Sequence, residues 1–203
     1  GIINLFNAVD VSRQTWKSDA RISGIITSGG KASNVIPDYA ACEFTVRAQT
    51  ISYLLKMVED LKRLAKVSAE MIGAEVKIGM DHAPYAERYP SHVMGETFKK
   101  NMARLGVEMQ YPDPKVPVGS SDIGNVSMVV PAIHEYLSIA DSSVNSHTVE
   151  FRDAAGSARG DQAALLGAQG LAMTALDIFT DPALRQEIQK EFAASVPHQE
   201  TAG

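Results

Sequence analysis

The chain has 203 residues, 45% of them hydrophobic and 21% charged, and a net charge of -5. That length holds one large domain or two small ones with an ample core, and the composition is ordinary globular chemistry. An acidic balance with no basic cluster gives no electrostatic footing for nucleic acid, and no apolar run approaches the length of a membrane span.

The single cysteine, Cys42, excludes an internal disulfide and fits a reducing, cytoplasmic setting. Leu5, Phe6, Val9, Arg13 and Trp16 fall at helical spacing, which predicts an amphipathic helix over residues 4–17. A helix already under way near Gly1, with no initial methionine, leads us to expect a piece of a longer protein. Residues 21–28 are rich in β-formers and end at Gly29 and Gly30. Beyond that turn the alternation of Ala40, Cys42, Phe44, Val46 and Ala48 against Glu43, Thr45 and Arg47 predicts a strand with one buried and one polar face. That parity makes Cys42 a packed hydrophobe in preference to a nucleophile.

Thr50 is the expected cap of a helix whose stripe is Leu54, Met57, Val58, Leu61, Leu64, Ala65, Met71 and Ile72, stopped by Gly73. Val76, Ile78 and Met80 alternate with polar residues and predict a further short strand. The order helix, strand, strand, helix, strand is that of a ferredoxin-like α+β module lacking its first strand, which leaves a sheet edge open. Residues 83–90 read as a linker, so two domains are expected, 1–88 and 89–203. The second begins with a helix over residues 91–105, with Met94, Phe98, Met102 and Leu105 inward and Gly106 as its stop. Residues 111–117 contain three prolines and form a loop. Two short apolar runs on either side of Pro131 are expected as buried strands. A long helix over residues 153–179 carries Ala163, Ala164, Gly167, Ala168, Gly170, Ala172 and Ala175, small enough to lie close on a sheet. Asp181 and Pro182 open a last helix, and the tail from Pro197 is expected to be disordered.

Chemistry concentrates in residues 119–150, GSSDIGNVSMVVPAIHEYLSIADSSVNSHTVE. His147 follows an apolar run in a polar loop, where an imidazole reaches a metal or a substrate. The plain alternative is a surface histidine without a partner. Asp122 follows two serines and leads into a helical turn, so it reads equally as a helix cap. One histidine and one distant aspartate do not complete a catalytic zinc site, which takes about three protein ligands and an open position.

Four segments in order, GGKASNVIPDYAACEFTVRA, GSSDIGNVS, NSHTVEF and LAMTALDIF, resemble the zinc-dependent metallopeptidase and amidohydrolase family of aminoacylases, glutamate carboxypeptidases, desuccinylases and p-aminobenzoyl-glutamate hydrolases. They look most like the p-aminobenzoyl-glutamate hydrolase and dipeptidase-like branch. The resemblance implies an α/β protein: a lid, followed by the C-terminal segment of a zinc-peptidase-like catalytic domain. It implies that His147 is the last metal ligand and that Asn34 and Arg47 hold the substrate's carboxylate and its scissile carbonyl. Gly119, Ser120, Ser121 and Asp122 would then line the facing wall of the pocket. It further implies zinc, with manganese as another candidate, an N-acyl amino acid, aminobenzoyl-glutamate or dipeptide substrate, and a homodimer formed through the lid. The family's HxCGH-type histidine, bridging aspartate and catalytic glutamate are not found here, so the chain alone is expected to be inactive. The alternative is a non-catalytic dimerisation or binding module derived from that family.

Overall fold

The computed structural model describes residues 1–112 and 119–196. The chain divides into two compact units, Gly1–Glu87 and Arg88–Gly203, and mixes helices with one small sheet among the described residues.

In the first unit α1 (Ile2–Ser12) continues into a 3-10 turn, Arg13–Thr15, and leads to β1 (Arg21–Ser28), β2 (Ala41–Arg47) and α2 (Ile51–Glu70). The helix predicted over residues 4–17 therefore starts earlier and tightens before Trp16. β1 and β2 pair antiparallel, with Arg21 opposite Arg47 and Gly24 opposite Phe44. One face of the sheet is packed: Leu5, Val9 and Ile22 are buried, with Trp16, Cys42, Phe44, Val46, Leu61, Leu64 and Ala65 against them. The other face leaves Glu43, Thr45 and Arg47 exposed, as the alternation predicts. Gly24 is needed where it stands, because a Cβ there would lie 2.5 Å from the Phe44 ring. Phe44 in turn meets Phe6 with ring centroids 4.8 Å apart.

The Thr50 hydroxyl caps α2 by accepting from the Tyr53 amide, and Gly73 takes the positive φ that ends this stretch. Met71 and Ile72 lie past the end of α2 and remain 68% and 56% exposed, so the expected stripe is shorter than its sequence pattern. Residues 74–80 form no strand. Alternation prepares a segment for a sheet, but a strand exists only through a partner's backbone, and among the described residues β1 and β2 pair only with each other.

The second unit contains α3 (His92–Arg104), α4 (Ile123–Ser127), α5 (Val149–Ala155), α6 (Ala158–Thr180) and α7 (Pro182–Ser195). Ser91 caps α3 as expected, and Asp181 caps α7 with Pro182 in its first turn. Phe98 and Met102 form the centre of packing, 2% and 0% exposed. α6 crosses them at Gly170, where a Cβ would lie 2.4 Å from Met102 Sδ and 2.9 Å from Phe98 Cε2. The small-residue stripe thus meets a helix where a sheet was expected. Asn101 Nδ2 fastens the crossing by donating to Thr174 Oγ1 at 3.2 Å and Asp177 Oδ2 at 2.8 Å. By length and composition α6 is the one described helix apolar enough to cross a membrane, yet this polar clasp ties it to α3.

Neither apolar run around Pro131 becomes a strand. The first coils into α4 and a turn, and the second contributes one isolated parallel bridge, Pro90 to Ala132. The helix expected over residues 153–179 is two helices. Gly156 ends α5, and the Ser157 hydroxyl accepts from the Gly160 amide to begin α6, so a local side-chain bond interrupts the run. Most of the proline-containing loop and the tail from Pro197 lie outside the described residues.

Candidate functional site

The first unit carries Asn34 and Arg47. Arg47 ends β2 on its exposed face, beside the cross-strand Arg21. Arg21 turns its guanidinium to the Ser18 and Ala20 carbonyls, at 2.5 and 2.7 Å. Arg47 makes no ion pair among the described residues. Among the described residues it is therefore an unpaired cation on an exposed sheet face. Asn34 is exposed in the loop joining the two strands, beyond the end of the sheet opposite to Arg47. A strand of this length spans about 20 Å, so the hairpin itself does not bring the two side chains together.

The second unit carries the remaining candidates. Gly119 is anchored through its carbonyl, which accepts from Arg88 Nη2 at 2.7 Å. Ser120 is exposed. The Ser121 hydroxyl accepts from the Ile123 amide at 3.3 Å and donates to Asp122 Oδ1 at 3.4 Å. Asp122 holds the capping position of α4 without a side-chain bond to the helix. Ser121 therefore takes the capping work that the sequence offered to Asp122, leaving that carboxylate exposed.

His147 is exposed, and it is the only non-glycine residue with a positive φ among the described residues, at 67°. This conformation costs an L-residue about 1–2 kcal/mol, and histidine is among the side chains enriched in it. Such strain persists only where neighbouring structure enforces it, and it concentrates at functional sites. The loop has a firm base. Arg159, in the first turn of α6, donates to Asp141 Oδ1 at 3.0 Å, Ser138 Oγ at 3.3 Å and the Ala140 carbonyl at 3.2 Å. On the far side of His147, the Thr148 hydroxyl donates to the Asn145 carbonyl at 2.8 Å and caps α5. Sequence reading missed both residues. Thr148 carried a signal, a threonine followed by an acid in a first helical turn; Arg159 carried none, because its partners lie 18 to 21 residues away.

No hydrogen bond or ion pair joins the Gly119 to Asp122 loop to His147, and no three His, Cys, Asp or Glu side chains converge among the described residues. A complete zinc or manganese centre therefore does not fit the described residues. His147 can serve as a single nitrogen donor and no more.

No family model matches the chain. It is 33% identical over 197 residues to a protein of Mus musculus named Xaa-Arg dipeptidase, an alignment covering 96% of this chain and 46% of that protein. It is 35% identical over 192 residues to the Homo sapiens protein of the same name, covering 92% of this chain and 43% of the relative. The chain thus spans a little under half the length of the curated relatives it matches, and what it resembles along nearly all its own length is a peptidase.

Proposed function

We propose that this chain is one part of a metal-dependent peptidase or amidohydrolase that cleaves the amide bond of dipeptides, N-acyl amino acids or aminobenzoyl-glutamate. The observation that carries this reading is the similarity to two proteins named for dipeptide cleavage, extending over 96% and 92% of the chain. In this reading residues 1–88 are a ferredoxin-like lid and dimerisation domain, and residues 89–203 belong to a catalytic domain. Arg47 offers a planar, two-pronged grip on the free carboxylate that ends a dipeptide. Its freedom from ion pairs among the described residues leaves those donors available. Asn34 supplies amide donors to the carbonyl under attack, and Gly119, Ser120, Ser121 and Asp122 line the opposing wall. His147 contributes one metal ligand. A bound zinc or manganese ion would activate water and polarise the amide. The remaining ligands and the general base lie outside this chain, which is inactive alone. The relatives' name points to dipeptides ending in arginine as the first substrates to try. The free thiol of Cys42 fits a cytoplasmic setting.

The test is hydrolysis of Xaa-Arg dipeptides with zinc or manganese, by the chain alone and with the rest of the mouse relative supplied as a second polypeptide. The chain alone should show no turnover and less than one tightly held zinc per chain. The pair should show metal-dependent cleavage that His147→Ala abolishes. Stoichiometric binuclear zinc in the chain alone, or cleavage indifferent to chelators, would contradict the reading.

A second reading, a non-catalytic homodimerisation module, draws on the loop between β1 and β2, where Val35, Ile36 and Tyr39 are 60%, 93% and 68% exposed. Sedimentation equilibrium separates the two readings. A dimer that dissociates on Ile36→Asp, together with no activity in the complemented pair, favours the second.

A further inference from the structure

We propose that residues 133–139 and one stripe of α6 form a docking face, and that it takes an apolar β-strand from the part of the longer protein this chain does not carry. The inference rests on the reading of the chain as one part of a peptidase, and it names the surface on which the rest docks. Residues 133–139 already alternate as a strand does. Glu135, Leu137 and Ile139 line an open groove against Ala164, Ala168 and Leu171 of α6. His134 and Tyr136, of the other parity, meet each other with ring centroids 4.8 Å apart. Yet among the described residues no backbone amide or carbonyl from 133 to 139 makes a hydrogen bond. Bridging stops at Ala132, whose carbonyl accepts from the Ser91 amide at 2.9 Å. A run of peptide groups without partners is what an added strand satisfies.

α6 supplies the rest of the face. Its Ala163, Gly170 and Thr174 are buried, while Ala164, Ala168, Leu171 and Ala175, at spacings of four, three and four, stay exposed along a separate apolar stripe. Only 17% of the helix's most apolar stretch is buried, so it has the composition of a core helix without a core's cover. A lipid surface would cover the stripe but leave the amides of residues 133–139 unbonded, which hydrocarbon does not tolerate. A strand answers both needs, pairing edge-on with the backbone and laying its side chains over the stripe. Its source follows from length. The aligned stretch covers 46% and 43% of the two relatives, so more than half of each lies outside what this chain matches. Glu135 is the one charged residue among those described that line the groove, so the strand is apolar with a donor facing that carboxylate.

The test is amide hydrogen exchange of residues 133–139, in the chain alone and in the chain co-expressed with the remaining residues of the mouse relative. Exchange should be fast in the chain alone and at least about tenfold slower in the pair. Leu171→Asp puts a charge on the stripe and should abolish both the slowing and the co-purification. Leu165→Asp is the control: its site is 67% exposed and lies about a third of a turn round the helix from Leu171, and it should leave both intact. Circular dichroism and the α3 amides confirm that each variant is folded.

A pair that co-purifies while residues 133–139 exchange as fast as in the chain alone overturns the proposal, and so does a folded chain that never pairs. Slow exchange in the chain alone also overturns it, and a dimer in sedimentation equilibrium then identifies the occupant as a second copy. Slowing on phosphatidylcholine vesicles but not in the pair assigns the face to lipid instead. Slowing in the pair without cleavage of Xaa-Arg dipeptides sinks the peptidase reading and leaves the docking face standing. Cleavage without slowing does the reverse.

Discussion

Gly170→Ala is a sharp test of how the second unit is packed, because two effects of known size oppose each other there. Alanine in place of glycine inside an α-helix gains about 1 kcal/mol from helix propensity alone. Against that, the new Cβ would stand 2.4 Å from Met102 Sδ and 2.9 and 3.2 Å from Phe98 Cε2 and Cζ. Both neighbours are buried, at 0% and 2% exposure, so neither can swing into solvent. Overpacking of this kind costs about 1–3 kcal/mol. A shift of α6 away from α3 would also stretch the Asn101 bonds to Thr174 and Asp177. The net expectation is a loss of up to about 2 kcal/mol despite the better helix former. Gly167→Ala is the control: its Cβ would meet only Leu137 Cδ1, at 3.2 Å, the end of a half-buried and flexible side chain. Urea unfolding followed by circular dichroism measures both. Gly170→Ala should unfold at lower urea than the parent, and Gly167→Ala at equal or higher urea. A Gly170→Ala protein more stable than the parent by the full propensity gain would refute the packing argument.

Other expectations follow from single contacts. Glu191 of α7 accepts from the Ser91 hydroxyl at 2.5 Å and from the His92 and Val93 amides, closing the α3 N-terminus from a separate helix. Glu191→Ala should cost about 1–2 kcal/mol in denaturant unfolding, and a neutral result would mean that Ser91 caps α3 unaided. The hydroxyl of Tyr111 donates to Glu96, which holds the Glu96 carboxyl below its ordinary value and lifts the phenol above its own. Because the folded-state carboxyl is depressed, its stabilising contribution is present above the ordinary carboxylate value and fades as pH falls through the lowered one. Tyr111→Phe should move the Glu96 titration upward by NMR, and an unmoved titration would exclude the hydrogen bond in solution. Burial pushes the Cys42 thiol up, so at neutral pH it should react with a disulfide reagent far more slowly in the folded chain than in the unfolded one. Equal rates would place Cys42 outside the core.

Some of this molecule is written in short stretches of sequence. Thr50, Ser91 and Asp181 are caps because each side chain meets an amide two or three residues away, a distance set by the local backbone. The faces of β2 follow from strict alternation, so Cys42, Phe44 and Val46 could be assigned inward and Arg47 outward before any partner was known. His147 was likewise visible as a candidate in its polar loop.

What the sequence left undecided depended on contacts between distant residues. Residues 74–80 have the alternation of a strand yet form none, because a strand is defined by its neighbour's hydrogen bonds. The small residues of α6 announced a close approach without naming the partner, and only the tertiary structure put Phe98 and Met102 against Gly170. Glu191 reaches α3 across about a hundred residues, and no window of sequence contains both ends of that bond. The left-handed backbone of His147 belongs to the same class. Sequence placed a histidine in a polar loop, but its conformation belongs to a loop that the Thr148 bond to Asn145 closes and that Arg159 holds at its base to α6. Composition and periodicity determine which residues can enter an element; the partner that satisfies an exposed edge, a tight crossing or a strained residue is chosen only when the chain folds onto itself.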